Sequence, residues 1–296
     1  MITDIIAFIM TFLMSINLIA PFSPVTKVNK TDSPETQTQA DILIMTYNVK
    51  VSGVAQYAPK TRAPYVVDTV LKNMPDSVGF QEVSPEWYGW LRDGLKGYSC
   101  VGEARNGDGT GEASPVFYKS EKYECTDSGT FWLSETPDTA SKGWDAMYNR
   151  VCTYAILKDK QTGFTYAHFN AHFDHIGFIA RNESVSLVSS KIASLCPDIP
   201  VVFTGDLNDN EGGVMYDRII ESGMRDSKYL AEKTMDMGTY HGYSKITELT
   251  RTKPIDFVFV NAYCKSAASY GVLTEKYDGN YSSDHHPLRV ELTLAN

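Results

Sequence analysis

Short apolar runs recur along this chain, and six of them open or close on an acid, an amide or an imidazole. Asn48 ends ILIMTYN, Glu82 follows VGFQ, and His172 and Asp174 sit in HFNAHFDH. Asp206 and Asn208 leave the run in PVVFTGDLN, Asp256 opens the run in PIDFVFV, and Asp284 and His285 precede the last run in SSDHHPL. Runs of this length, rich in Val, Ile, Phe and Tyr and divided by turn residues, read as strands. A polar group at a strand end is costly to bury unless something uses it. Strand ends converging on one rim make a site, so the pattern constrains fold and chemistry together.

The strands predicted in this way are 42–49, 77–83, 114–119, 123–133, 151–158, 164–173, 199–204, 255–260 and 288–294, with a hairpin turn over 160–163. Helical periodicity covers 62–74, 85–95, 179–195 and 213–222. In the third of these, Val185, Val188, Ile192 and Leu195 fall on one face, and Pro197 stops the helix. Strands outnumber helices, and hairpins mix with crossovers. The expectation is an α+β fold of two packed sheets with helices on the outer faces. No G-x-G-x-x-G opens a helix after a strand, so a dinucleotide site has no support. There is no internal repeat, and residues 41–296 read as one catalytic domain.

Residues 5–20 are almost wholly apolar and are followed by the polar spacer TDSPETQTQA at 31–40. Sixteen residues are short for a membrane span and right for a signal-peptide core. Residues 1–40 are therefore expected to be a secretory signal or uncleaved anchor plus a disordered spacer. That implies a secreted protein, or one anchored at a membrane and facing outside the cytoplasm. The five cysteines include no C-x-x-C pair, which argues against a zinc cage, and most of them read as small core residues. Net charge is −9 with no Lys/Arg run, which disfavours tight binding of long nucleic acid.

The polar ends suit phosphate chemistry around a hard cation, because Mg²⁺ takes carboxylate, carbonyl and water oxygens. Asp284 can bind such an ion or orient a neighbour, whereas Glu82 and Asn48, each taken alone, also read as a solvated carboxylate and a turn residue at strand ends. In Thr204–Asn208 the strand is released by Gly205, and Asp206 and Asn208 then fall on one side of the chain. An Asp there can orient water, and an Asn can hold a phosphoryl oxygen without adding charge. His285 can donate a hydrogen bond or a proton to phosphate near neutral pH. His172 and Asp174 alternate onto one face beside His175. A zinc set of those three is weaker, since the remaining candidates are oxygen donors. His168 reads as a strand residue, and Arg150, with Trp144 and Tyr148 in the segment 132–150, as a candidate wall for a phosphate. His241, in TYHGY, is a further candidate near the substrate.

The order Asn48, Gln81-Glu82, His172-Phe173-Asp174-His175, Gly205-Asp206-Leu207-Asn208, Ile255-Asp256-Phe257 and Ser283-Asp284-His285 resembles the endonuclease/exonuclease/phosphatase superfamily. That superfamily includes deoxyribonucleases, abasic-site endonucleases, neutral sphingomyelinases, inositol-polyphosphate 5-phosphatases and deadenylases. The resemblance spans about residues 41–294. The stretch 129–137, GTFWLSETP, is similar to an uncharacterised, often exported bacterial subgroup. The resemblance implies a four-layer α/β/β/α sandwich. It implies Glu82 as the main metal ligand, with Asn48 and Asp284 at or near one or two Mg²⁺ or Mn²⁺ ions. It gives Asp206 the attacking water, His285 (held by Asp256) the phosphoryl centre, and His172 with Asn208 the scissile phosphate. Arg150, Asp174, His175 and His241 are the expected substrate contacts.

The function expected is a metal-dependent hydrolase acting on the phosphoester of a small molecule, sugar or lipid headgroup, working as a monomer. A secreted nuclease is the alternative, and a non-catalytic binding module on the same fold is a third reading. A membrane is expected as a partner only through an uncleaved N-terminus. A sphingomyelinase-like role would need an apolar loop that seeks a membrane, and the sequence shows no aromatic hairpin of that kind.

Overall fold

The computed structural model of the protein describes residues 39–295, so the expected signal or anchor and most of the spacer lie outside the described residues. The first sheet has the strand order β10-β12-β13-β1-β2-β4-β3. Its strands are β1 (Gln39–Asn48), β2 (Ser77–Gln81), β3 (Tyr98–Val101), β4 (Val116–Lys119), β10 (Ala231–Thr234), β12 (Cys264–Val272) and β13 (Leu288–Ala295). The second sheet has the order β5-β6-β7-β8-β11-β9. It is built from β5 (Tyr123–Trp132), β6 (Val151–Asp159), β7 (Thr165–His172), β8 (Val201–Asp206), β9 (Arg225–Asp226) and β11 (Asp256–Val260).

Alternation along the strands feeds three apolar layers. In β1, Ile42 and Ile44 face the second sheet and pack with Val202, Val258, Val260 and Val290. The alternate residues Met45, Tyr47 and Val49 pack outward on α1 (Pro59–Asn73) and α2 (Pro85–Gly94) through Val66, Val70, Trp87 and Leu91. On the far side Phe169, Phe203, Phe257 and Phe259 pack against α3 (Phe178–Leu195) and α4 (Val214–Glu221) through Val185, Val188, Met215 and Ile219. Two mixed sheets flanked by helices make the expected α/β/β/α sandwich. The hairpin over 160–163 is held by Asp159, whose Oδ1 accepts the backbone N–H groups of Gln161 and Thr162. All five cysteines are unbridged, and Cys152, Cys196 and Cys264 are buried. Among the described residues no helix is long and apolar enough to cross a membrane.

Four strands and a helix escape the sequence pattern. The nine residues of β12 carry bulges between Cys264 and Ser266 and between Ala267 and Ser269, which break the two-residue period. Strands β3, β9 and β10 have four residues or fewer, and the helix α5 (Lys245–Thr250) buries none of its side chains. Short elements without a buried stripe leave no periodic trace.

Candidate active site

The rim is made by the same alternation that makes the inter-sheet core. In β1 the residues facing the second sheet change from Ile44 to Thr46 to Asn48, and in β8 from Val202 to Thr204 to Asp206. Below the rim, Gln81 Nε2 donates to Thr46 Oγ1 (2.9 Å) and to Asn170 Oδ1 (2.7 Å). Asn170 Nδ2 in turn donates to the carbonyls of Phe80 and Pro115. This buried network ties the two sheets together. Gly79 has to lack a side chain, since a Cβ would lie 2.4 Å from Asn170 Oδ1 and Thr204 Oγ1. His168 belongs to this layer, bonded to Ser77 Oγ and Thr204 Oγ1, and burial alone pushes it down to about 3.

Register then assembles the site. Asp206 lies opposite His172 on one side and opposite Asp256 on the other, so three polar residues share one rung of the second sheet. In the first sheet Asn48 pairs with Gln81, and Glu82 follows it in left-handed backbone at φ 61°. Lys50 and Asn208 are also left-handed, at 54° and 50°. Asn tolerates that region, whereas for Glu and Lys it costs about 1–2 kcal/mol each. Such strain persists where the surrounding structure over-determines it.

The distances join the two sheets. Asn48 Nδ2 donates to Glu82 Oε1 (3.1 Å) and to Asp206 Oδ2 (3.0 Å), and Glu82 Oε2 accepts the backbone N–H of Val51 (2.7 Å). Ser283 Oγ donates to the carbonyl of Asn48 (2.6 Å), which seats the Ser283-Asp284-His285 turn on the end of β1. His285 Nδ1 is 2.9 Å from Asp256 Oδ2, and its Nε2 is 3.7 Å from Asp206 Oδ2. Asn208 Nδ2 lies 3.0 Å from His172 Nε2 and also donates to the carbonyl of Phe173. Glu82, His172, Asp206, Asn208, Asp284 and His285 line a cavity of about 350 Å³ with Lys50, Arg105, Tyr148 and Arg150, while Asn48 and Asp256 bond to that lining.

Burial and charge set the protonation states. Burial disfavours the His285 cation, yet Asp256, Asp206 and Asp284 outweigh it and push the imidazole up to about 10. Asp206 is driven above the usual carboxylate range by burial and by Asp256. His172 is held neutral, by burial first and then by the nearby Arg150, His285 and Arg105. Its Nδ1 is buried and has no protein partner among the described residues.

The oxygen-rich corner of the site fits a divalent ion. Glu82 and Asp284 offer hard carboxylate oxygens, and Asn48 sits beside them with its Oδ1 accepting the Lys50 backbone N–H (3.0 Å). A protein cation already occupies this corner: Lys50 Nζ lies 3.0 Å from Asp284 Oδ2. Burial lowers the Lys50 ammonium, but Asp284 and Glu82 outweigh it and raise it above its ordinary range. Asp206, Asp256 and His285 also cluster closely enough to hold an ion. There the imidazole already bridges the two carboxylates, an arrangement suited to moving protons.

The structure thus brings together Asn48, Glu82, His172, Asp206, Asn208, Asp256, Asp284 and His285, with Arg150 and His175 on the cavity wall. Two expected substrate contacts fall elsewhere. Asp174 does not share the face of His172, because β7 ends at His172 and the chain turns there. Its carboxylate accepts the backbone N–H groups of Ile176, Gly177 and Tyr148 as well as Arg150 Nε, which outweighs burial and holds it well below the usual range. His241 stands behind Asp284, whose carbonyl accepts the His241 backbone N–H. Its ring packs at a tilt against those of His286 and Tyr281. Sequence reasoning missed Lys50, Arg105, Tyr240 and Arg251 in the cavity wall. Lys50 carried a readable signal, two residues beyond Asn48 at the end of β1.

A larger cavity of about 840 Å³ lies elsewhere, lined by Glu211, Tyr216, Lys228 and Asp236. Lys228 there is paired to Glu211 and Asp236, and the cavity holds none of the convergent set.

Known proteins are similar to this chain in sequence and fold. A structure from Bacteroides thetaiotaomicron described as an endonuclease/exonuclease/phosphatase family protein superposes with a TM-score of 0.82 at 32% identity, covering 87% of this chain and 99% of that one. A mannosyl-6-phosphatase from the same organism gives a TM-score of 0.80 at 32% identity over 85% and 99%. The uncharacterised protein L388 of Acanthamoeba polyphaga mimivirus is 25% identical over 237 residues, covering 74% of this chain and 81% of its own length. Residues 45–285 match the profile of the Endonuclease/Exonuclease/phosphatase family, whose members hydrolyse phosphoesters and generally use a divalent metal. With that match and the two-sheet sandwich, this chain belongs to the endonuclease/exonuclease/phosphatase family.

Proposed function

We propose that this protein is an exported, monomeric, Mg²⁺- or Mn²⁺-dependent hydrolase of a compact phosphoester such as a sugar phosphate. The observation that carries the reading is the His172–Asp206–Asp256 rung facing Glu82, Asn48 and Asp284 across one cavity. A 350 Å³ cavity walled by Tyr148 and Tyr240 suits a small substrate better than a duplex backbone, and the net charge of −9 points the same way. The structural likeness to a mannosyl-6-phosphatase supports a sugar-phosphate class.

In this reading Glu82, with Asn48 and Asp284, holds the ion. The ion supplies charge neutralisation at the phosphoryl oxygens. Asp206 orients the attacking water and takes its proton. His285, kept cationic by Asp256, donates to the phosphoryl group or the leaving oxygen. His172 and Asn208 steady the remaining oxygens from the opposite side. The test is turnover of sugar phosphates, p-nitrophenyl phosphate, bis-p-nitrophenyl phosphate, DNA and RNA by purified protein. Cleavage of nucleic acid alone would overturn the small-molecule reading.

EDTA is expected to abolish turnover, and Mg²⁺ or Mn²⁺ to restore it. An ion that binds only the folded chain also raises its melting temperature, by an amount that grows with the logarithm of ion concentration above the dissociation constant. Full turnover in EDTA, with no thermal shift on adding either ion, would remove the metal from the account. A second expectation concerns pH. His285 must carry its proton, and Asp256 raises its pKa. Asp256→Asn removes that anion, lowers the imidazole pKa and moves the alkaline limb of kcat/KM to lower pH. A limb left in place would mean that His285 is not the group titrating there.

A further inference from the structure

We infer that Arg105 and Arg150 form a subsite for the terminal oxygens of a doubly charged phosphomonoester, and so set a preference for monoesters over diesters. The inference rests on the hydrolytic reading above and goes beyond it by naming the form of phosphate the site takes.

Arg105 and Arg150 both line the catalytic cavity, and both also line a narrow neighbouring recess with Glu82, Glu112 and His172. They therefore sit at the phosphate end of the site, on the His172 side, and the lowering of His172 by Arg150 and Arg105 reflects that proximity. Neither bonds to Asp206 or His285, so the chemistry assigned to those residues does not account for them.

Each arginine is fixed before any ligand arrives. Arg150 is 6% exposed. Its Nε donates to Asp174 Oδ2 (3.3 Å), and its Nη2 lies 3.2 Å from His175 Nδ1. Asp174 divides its charge among three backbone N–H groups as well, so it neutralises Arg150 only in part. Arg105 Nη1 donates to Glu112 Oε2 (2.9 Å), and its guanidinium lies 4.8 Å from the centre of the Tyr148 ring. Trp132 Nε1 and Asn149 Nδ2 both donate to the Arg105 carbonyl, which fixes the backbone as well. Among the described residues, Nη1 of Arg150 and Nη2 of Arg105 bond no protein acceptor, which leaves them for the ligand.

The charge count then selects the ligand. A bound diester carries one negative charge, whereas a monoester carries close to two near neutral pH. A planar guanidinium matches phosphate oxygens with paired N–H donors, and two of them can satisfy the additional oxygen of a monoester. In a diester that oxygen bears an organic group, which would leave the arginine donors desolvated and unpaired.

The test compares kcat/KM on p-nitrophenyl phosphate and bis-p-nitrophenyl phosphate, together with binding of inorganic phosphate by calorimetry. Arg150→Met and Arg105→Gln are each expected to lower monoester kcat/KM by about 100-fold and diester kcat/KM by about threefold, an asymmetry set by the lost charged hydrogen bonds. Phosphate affinity should weaken by about tenfold or more in both variants. Glu112→Gln keeps an acceptor for Arg105 but removes a negative charge, so it should tighten phosphate by about threefold, a gain that a folding defect cannot imitate. Equal losses on the two esters, or phosphate affinity unmoved in all three variants, would overturn the subsite. If the wild-type protein hydrolyses neither ester, the hydrolytic reading fails, and the phosphate titrations still decide whether the arginines bind the anion.

Discussion

Replacing His285 with alanine is expected to lower kcat/KM by about a hundred- to ten-thousand-fold, the usual cost of removing a group that transfers a proton. The imidazole is bonded to Asp256 and faces Asp206, so its cation is held between two buried carboxylates. Removing it does two things. The proton donor is lost, and Asp256 is left as a buried anion beside Asp206, which lowers stability. The two effects separate in the double variant His285→Ala/Asp256→Asn. Neutralising the orphaned carboxylate should recover much of the melting temperature and none of the activity. A loss in rate below about tenfold, measured with the chain folded, would remove His285 from proton transfer.

Arg62→Leu is expected to destabilise the protein by about 3–5 kcal/mol, because hydrogen bonds to a charged group are worth about 1.5–3 kcal/mol each and water replaces only part of them. Arg62 is fully buried, and every hydrogen bond it makes is to a backbone carbonyl. Its Nε donates to the carbonyl of Tyr57, its Nη1 to those of Val49 and Ser282, and its Nη2 to those of Lys50 and Ser52. The side chain thus clamps the turn after β1 to the turn that carries Asp284 and His285. Denaturant midpoints and turnover should fall together, because both turns bear site residues. Arg62→Lys should not rescue, since an ammonium cannot span carbonyls in several directions as the planar fork does. A loss under 1 kcal/mol would mean that the two turns hold without the clamp.

The strands that build the site were legible because each is a continuous apolar run that ends on polar residues, from Ile42 to Asn48 and from Val201 to Asp206. The bulged β12 was not, since the extra residues change the spacing of the positions that reach its one buried face, from Cys264 to Ala267 to Tyr270 to Val272. Among the site residues, those on or beside strand ends were readable, and those on loops divided. Asp174 and His241 have the chemistry of a site, but each is held in its own loop, one by backbone N–H groups and one behind the Asp284 carbonyl. Arg105, Tyr240 and Arg251 reach the cavity from segments with no periodic signal. A polar residue that satisfies backbone donors looks the same in sequence as one that awaits a ligand.

The sequence by itself determined which side chains stand at the rim of each strand, because alternation is a property of the local backbone. Only the tertiary structure decided that Asp206 would lie between His172 and Asp256, that Asn48 would bridge Glu82 and Asp206, and that Arg105 and Arg150 would line a recess beside His172. Those relations depend on register between strands and on loops anchored by distant carboxylates. Both are fixed by burial and hydrogen bonding across the fold, where the order of residues along the chain gives no measure of distance.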